Sequence, residues 1–148
     1  MCSDSNLDKL SFQFFKLFAQ YESSLKENGF FTVDKTGRIS VDWDKFANEK
    51  IGKNFKEKLG KSLESALYIF ECPPKIQMYD GVKIVWSPVS NNEKSIQILF
   101  GHICRVRNNL FHGAKFNGTW NEPERSERLL SCALDILITI HNQLPIKS

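Results

Sequence analysis

The chain has 148 residues, enough for one domain and too few for two of ordinary size. Leu, Ile, Val and Phe make up roughly 30% of it, against the roughly 20% below which chains tend to stay disordered, so a core can form without a disulfide or metal staple. Twenty Lys plus Arg against seventeen Asp plus Glu give a net charge of +3, which neither demands nor excludes nucleic acid.

The cysteines at 2, 72, 104 and 132 form no C-x-x-C pair, and no His sits at zinc-ligand spacing from them. Scattered cysteines in a chain with a sufficient core are expected to be reduced, mostly buried thiols, with no metal and no cofactor. The start, Met1-Cys2-Ser3-Asp4-Ser5, lacks the basic and apolar regions of a signal peptide. No apolar run approaches the roughly 18 residues of a membrane span. These features predict a soluble, cytoplasmic protein without a membrane partner.

In chain order, the first helix is expected over about Ser5 to Asn28. Leu7, Leu10, Phe14, Leu17, Phe18, Tyr21 and Leu25 make its apolar stripe, and Gly29 stops it. Phe31-Thr32-Val33 and Arg38-Ile39-Ser40-Val41 flank Asp34-Lys35-Thr36-Gly37 as a small hairpin, followed by a short helix from Asp42 to about Lys50. A second long helix runs from about Asn54 to Phe70 and ends at Pro73-Pro74. Ile76 to Tyr79 and Val82 to Trp86 then form a second hairpin about an Asp80-Gly81 turn. The third long helix spans about Asn91 to Phe111, and the fourth runs from Glu122-Pro123 to about Gln143. Two hairpins alone cannot make a core. The expected fold is a single all-α domain over residues 1–148, a four-to-five-helix up-and-down bundle with one or two small β-hairpin elaborations.

The third helix carries the irregularity. At about 100° per residue, Ile96, Leu99, Phe100, Ile103, Val106, Leu110 and Phe111 share one apolar stripe, and Arg107 falls near its centre, about 20° from Ile96. A guanidinium there must be paired, lie at an interface or face a polar cleft, because an unpaired buried charge is too costly. Arg105 is expected on the solvent side. His112 follows five residues after Arg107, a rise of about 7.5 Å, within reach of a leaning Arg side chain. Asn108 and His112 lie four apart, so a cation, an amide and an imidazole are expected to converge at the helix end. Arg can neutralise a phosphate, Asn can orient it, and His can move protons near neutral pH. Taken alone, the same residues also suit a structural Arg bonded to a carboxylate and a His capping a helix.

Arg107-Asn108-Asn109-Leu110-Phe111-His112 resembles the R-x4-6-H signature, with a polar residue after the Arg, of the HEPN superfamily (higher eukaryotes and prokaryotes nucleotide-binding). The resemblance implies a small helical bundle with the motif towards the end of the third or penultimate helix. It also implies a metal-independent endoribonuclease acting as a homodimer, with two motifs facing one composite cleft across the two-fold. Under that resemblance His112 is the general acid/base on the ribose 2′-hydroxyl or the leaving oxygen. Arg107 stabilises charge on the pentavalent phosphate, and Asn108 positions the phosphate or its two partners. Arg105, Asn109 and Lys115 flank the motif as candidate RNA contacts. The Tyr that one toxin branch carries two residues after the His is Ala114 here, which puts an antitoxin of that branch's type in doubt. The role the resemblance implies is a toxin, as in a toxin–antitoxin pair, or an antiviral-defence effector, with an antitoxin or defence protein as a candidate partner. A non-catalytic HEPN-like module binding RNA, nucleotide or protein is the rival.

Elsewhere, Lys50, Lys53, Lys56, Lys58 and Lys61 alternate with Glu49, Glu57 and Glu64 and read as a solvated face. Trp120, Trp86 and Tyr79 sit in connections where they can stack on bases or cover the bundle ends. His102 is expected on the polar side of its helix, and neither it nor His141 has a chemical partner in sequence. The fourth helix, with Leu129, Leu130, Ala133, Leu134, Ile136, Leu137, Ile138 and Ile140, leaves almost no polar side. That excess predicts a dimer contact through helices three and four.

Overall fold

The computed structural model describes residues 4–90, 93–111, 115–116, 119–120 and 122–144. The chain is mostly helical, with small antiparallel hairpins inserted between helices. Helix α1 spans Asp4–Glu27 and buries Leu7, Phe14, Phe18, Tyr21 and Leu25, four of them spaced at three or four residues from one another. It ends as expected at Gly29, whose φ is +86°. The Phe30 N–H reaches back to the Leu25 carbonyl at 2.8 Å, and the Gly29 N–H to that of Lys26 at 3.3 Å, which is a Schellman cap.

Strands β1 (Phe31–Val33) and β2 (Ile39–Val41) pair antiparallel, Phe31 opposite Val41. The Asp34 carboxylate ties the turn by accepting from the Thr36 N–H and hydroxyl and the Arg38 N–H. The expected short helix is shorter in its α part: α2 covers Trp43–Phe46, capped by Asp42, and Ala47–Ile51 continue it as a wider π-turn. This short segment plugs the bundle with rings. Trp43 lies 5.0 Å from Phe18 and stacks on Phe100 at 5.5 Å, while Phe46 meets Phe100 edge-on at 5.8 Å.

The second long helix is not continuous. It divides into α3 (Phe55–Leu59), a 3-10 turn at Gly60–Ser62 and α4 (Leu63–Glu71). Gly60 takes φ +55°, a left-handed conformation that glycine adopts at no steric cost. Strands β3 (Ile76–Tyr79) and β4 (Ile84–Ser87) pair with Tyr79 opposite Ile84. The turn therefore takes in residues 80–83, and the second strand starts two residues later than expected. The Asp80 carboxylate accepts the N–H groups of Val82 and Lys83, both at 2.8 Å, which holds that longer turn.

Helix α5 covers Ile96–Phe111, starting five residues later than expected. Ser95 caps it: its hydroxyl accepts the Ile98 N–H at 3.2 Å and its carbonyl the Leu99 N–H at 3.0 Å. A two-residue pairing of β5 (Lys115–Phe116) with β6 (Thr119–Trp120) follows, an addition to the two hairpins expected. Helix α6 covers Pro123–Gln143 with Pro123 in its first turn.

Helix α6 is the centre of the packing, flanked by α1 and α4 and touched by α3 and α5. Its Leu129, Leu130, Ala133, Ile136, Leu137 and Ile140 are all buried, and among its large hydrophobic side chains Ile138 alone is exposed. The apolar excess that predicted a subunit contact through this helix is thus taken up within one chain. No helix among the described residues is long and apolar enough to cross a membrane.

Candidate functional site

Arg107 lies on α5 one turn before its end, half-buried on the apolar side where the periodicity placed it. Its guanidinium carbon stands 5.4 Å from the Phe18 ring centre and 5.7 Å from that of Phe111. Phe111 in turn meets Phe15 of α1 edge-on at 5.4 Å. Among the described residues no carboxylate lies within ion-pair distance of Arg107, and its buried Nε has no hydrogen-bond partner. The cation is therefore held by ring faces and by its packed stem, with its buried Nε unsatisfied among the described residues. Phe15 and Phe111 are 46% and 56% exposed and form an aromatic patch at the junction of α1 and α5, and Phe12, 68% exposed, lies one turn before Phe15 on α1.

The other expected site residues spread round α5. Asn108 is exposed. Asn109 turns to the far side and donates its Nδ2 to the Lys75 carbonyl at 2.9 Å, anchoring the chain that enters β3. His112 lies outside the described residues, and so do Gly113 and Ala114. Lys115 forms part of β5, where its backbone pairs with Trp120.

Arg105 departs from the solvent-facing expectation. It is half-buried, with Nη1 3.3 Å from the Nδ1 of His102. His102, expected on the polar side, is buried at 3% exposure, with its ring edge-on to Phe70 at 6.4 Å. An imidazole that accepts from Arg105 at Nδ1 carries its proton at Nε2, and that buried atom has no partner among the described residues. Burial, reinforced by the Arg105 charge, pushes the His102 pKa down to about 4. This neutral buried histidine and its arginine are the pair that composition-based reading missed. The signal available was spacing: positions 102 and 105 lie three apart, one turn of the same face.

A narrow cleft opens between α5, the β3–β4 hairpin and the start of α6. Trp86, Val106, Leu110 and Leu129 give it apolar walls, and Asn109 and Arg125 bring polar groups to it. Arg125 donates Nη2 to the Pro73 carbonyl at 2.7 Å, while its buried Nε has no partner among the described residues. Lys75 is paired with Glu122 at 3.0 Å. Glu122 holds a left-handed φ of +47° just before α6, which is costly for a residue with a Cβ.

The thiols of Cys72, Cys104 and Cys132 are free and half-buried. Burial pushes the Cys104 thiol up to about 12 and raises that of Cys132, so neither is a ready nucleophile at neutral pH. Among the described residues, no group of three His, Cys, Asp or Glu side chains is placed to hold a metal ion. No known family model, curated protein or solved structure matches the chain. Its chemistry has to be read from its own residues.

Proposed function

We propose that the protein is a metal-independent endoribonuclease of HEPN type, acting as a homodimer whose two motifs share one cleft. The observation that carries this reading is the state of Arg107. It is a cation on an apolar helix face, lying over two rings, with no carboxylate against it and a buried donor unsatisfied among the described residues. A structural arginine in such a place is normally satisfied by a carboxylate or carbonyl. An arginine kept for phosphate is not, until the phosphate arrives.

In this reading the ribose 2′-hydroxyl loses its proton and attacks the adjacent phosphorus, and the 5′-oxygen of the next nucleotide leaves with a proton. His112 serves as the acid/base in this exchange. Arg107 offsets the charge that builds on the non-bridging oxygens, and exposed Asn108 orients the phosphate. The product ends are a 2′,3′-cyclic phosphate or 3′-phosphate and a 5′-hydroxyl. The aromatic patch of Phe15 and Phe111 lies beside Arg107 and supplies apolar surface for a second copy through α1 and α5. A toxin or antiviral-defence effector fits such an activity, with an antitoxin or defence protein as regulator.

The same patch also favours a second reading. A non-catalytic HEPN-like module would use it to bind a protein partner or RNA without cleavage. Incubating the purified protein with RNA in EDTA and mapping the new ends separates the two. Cyclic-phosphate ends that disappear in His112→Ala support the nuclease. Intact RNA in the presence of tight binding supports the module.

A further inference from the structure

We propose that the open cavity between the end of α1, α2 with its π-turn and the end of α6 binds an organic phosphate monoester. Its phosphate would lie on Lys45 and Lys50 and its apolar body on the floor below them. This cavity lies apart from Arg107, whose rings, Phe18 and Phe111, do not line it, so the assignment stands without the nuclease reading.

The cavity holds about 620 Å³, within the roughly 300–1,000 Å³ of ordinary ligand pockets. Buried Leu25, Phe30 and Phe46 and half-buried Leu144 give it an apolar floor. Lys45 and Lys50 line it from the exposed side. Their ammonium nitrogens lie 5.6 and 6.0 Å from the centre of the same Phe30 ring. Two cations gathered on one ring repel each other, and among the described residues neither has a carboxylate within ion-pair range. Glu49 also lines the cavity, without reaching either lysine at that distance.

The π-turn explains why the two lysines meet. Residues five apart on a regular α-helix point about 140° away from each other, so Lys45 and Lys50 would serve different faces. Ala47–Ile51 form the wider turn, closed by the Gly52 N–H on the Ala47 carbonyl at 2.8 Å, five residues back. That closure narrows the angle, and both side chains come over Phe30. The turn is held at its end. Gly52 takes φ +75°, and Lys58 donates its Nζ to the Lys50 and Ile51 carbonyls at 3.3 and 2.7 Å. Single π-turns within helices recur at functional sites. Here the effect is a paired positive charge above an apolar floor. A phosphate monoester carries about −1.5 to −2 charge at neutral pH and three acceptor oxygens, enough for both ammonium groups. A monocarboxylate offsets only one.

The test is calorimetric titration of the full chain with phenyl phosphate and, separately, with phenol, benzoate and inorganic phosphate, amide shifts locating the site. Phenyl phosphate is expected to bind most tightly and to shift the amides of Phe30 and Lys50. Lys45→Met and Lys50→Met should each weaken it by about fivefold, the upper range for an exposed charge pair, and added salt should weaken it further. Lys45→Arg and Lys50→Arg keep the charge and should retain most of the affinity. Both lysines are exposed, so the Met variants are expected to fold. No binding of phenyl phosphate at millimolar concentration, or an affinity untouched when both lysines are changed to Met, overturns the proposal. Phenol or benzoate binding as tightly as phenyl phosphate overturns it too, because the paired cations then select nothing. Inorganic phosphate binding as tightly does so by leaving the apolar floor without a part.

Discussion

The guanidinium of Arg107 lies over two rings, that of Phe18, which is 2% exposed, and that of Phe111, which is 56% exposed. One ring belongs to the core and the other to the surface, so the cation sits where the two meet. Each cation–π contact at such a partly wet site is worth about 0.5–1 kcal/mol. The buried, unpartnered Nε costs about 1–3 kcal/mol in the other direction. These terms offset one another. Arg107→Ala is therefore expected to change the unfolding free energy by less than about 1 kcal/mol in urea titrations. A loss well above about 2 kcal/mol would make Arg107 a structural residue and withdraw the main support for the nuclease.

The His102–Arg105 pair sets a pH dependence. In the unfolded chain His102 titrates near its ordinary value of 6.5, whereas in the fold burial and Arg105 hold it down to about 4. Between those values the unfolded state binds the extra proton, so stability falls as pH drops from about 6.5 to about 4 and is unaffected by His102 above that window. His102→Leu removes the proton site and the orphaned Nε2 together. It should flatten the stability profile across that interval in denaturation at a series of pH values. An unchanged slope would mean that the imidazole is hydrated in solution.

Gly29 tests the termination of α1. A Cβ built there meets nothing within 4 Å, yet φ is +86°. The cost of Gly29→Ala is thus conformational and not steric, about 1–2 kcal/mol for forcing an L-residue into the left-handed region. Gly29→Asn should cost less, because Asn tolerates that region. Equal stability of all three proteins would place the end of the helix elsewhere.

The aromatic patch bears on assembly. If α1 and α5 form the two-fold contact, Phe15→Glu or Phe111→Glu puts a carboxylate into an apolar interface and should yield monomers by sedimentation velocity, with cleavage lost alongside. A wild-type monomer at micromolar concentration would remove the homodimer.

Much of the fold was legible. The ends of α1 and α6 were marked by Gly29 and Pro123, and their buried stripes followed the 3.6-residue period. The break at Gly60 was not, because a lone glycine in a helical pattern is as often tolerated as used. The enclosure of α6 was not either. An all-round apolar helix looks the same whether α1 and α4 or a second subunit covers it. Of the site, Arg107 was found because a charge in an apolar stripe breaks periodicity. His102 was missed because its residue type reads as polar, although it is buried against Phe70 with Arg105 one turn away. The cleft beside Trp86 brings together α5, α6 and a hairpin distant in sequence, and no local pattern announces such a meeting.

The decisive measurement is cleavage of end-labelled RNA in EDTA by wild type, Arg107→Ala, Arg107→Lys and His112→Ala, expressed and purified identically. Removing a group that stabilises transition-state charge costs about 10²–10³ in rate. Wild type should therefore cut, Arg107→Ala and His112→Ala should be inactive within detection, and Arg107→Lys should retain a small part of the activity. Equal cleavage by all four preparations, or none by wild type, would contradict a ribonuclease built on Arg107 and His112.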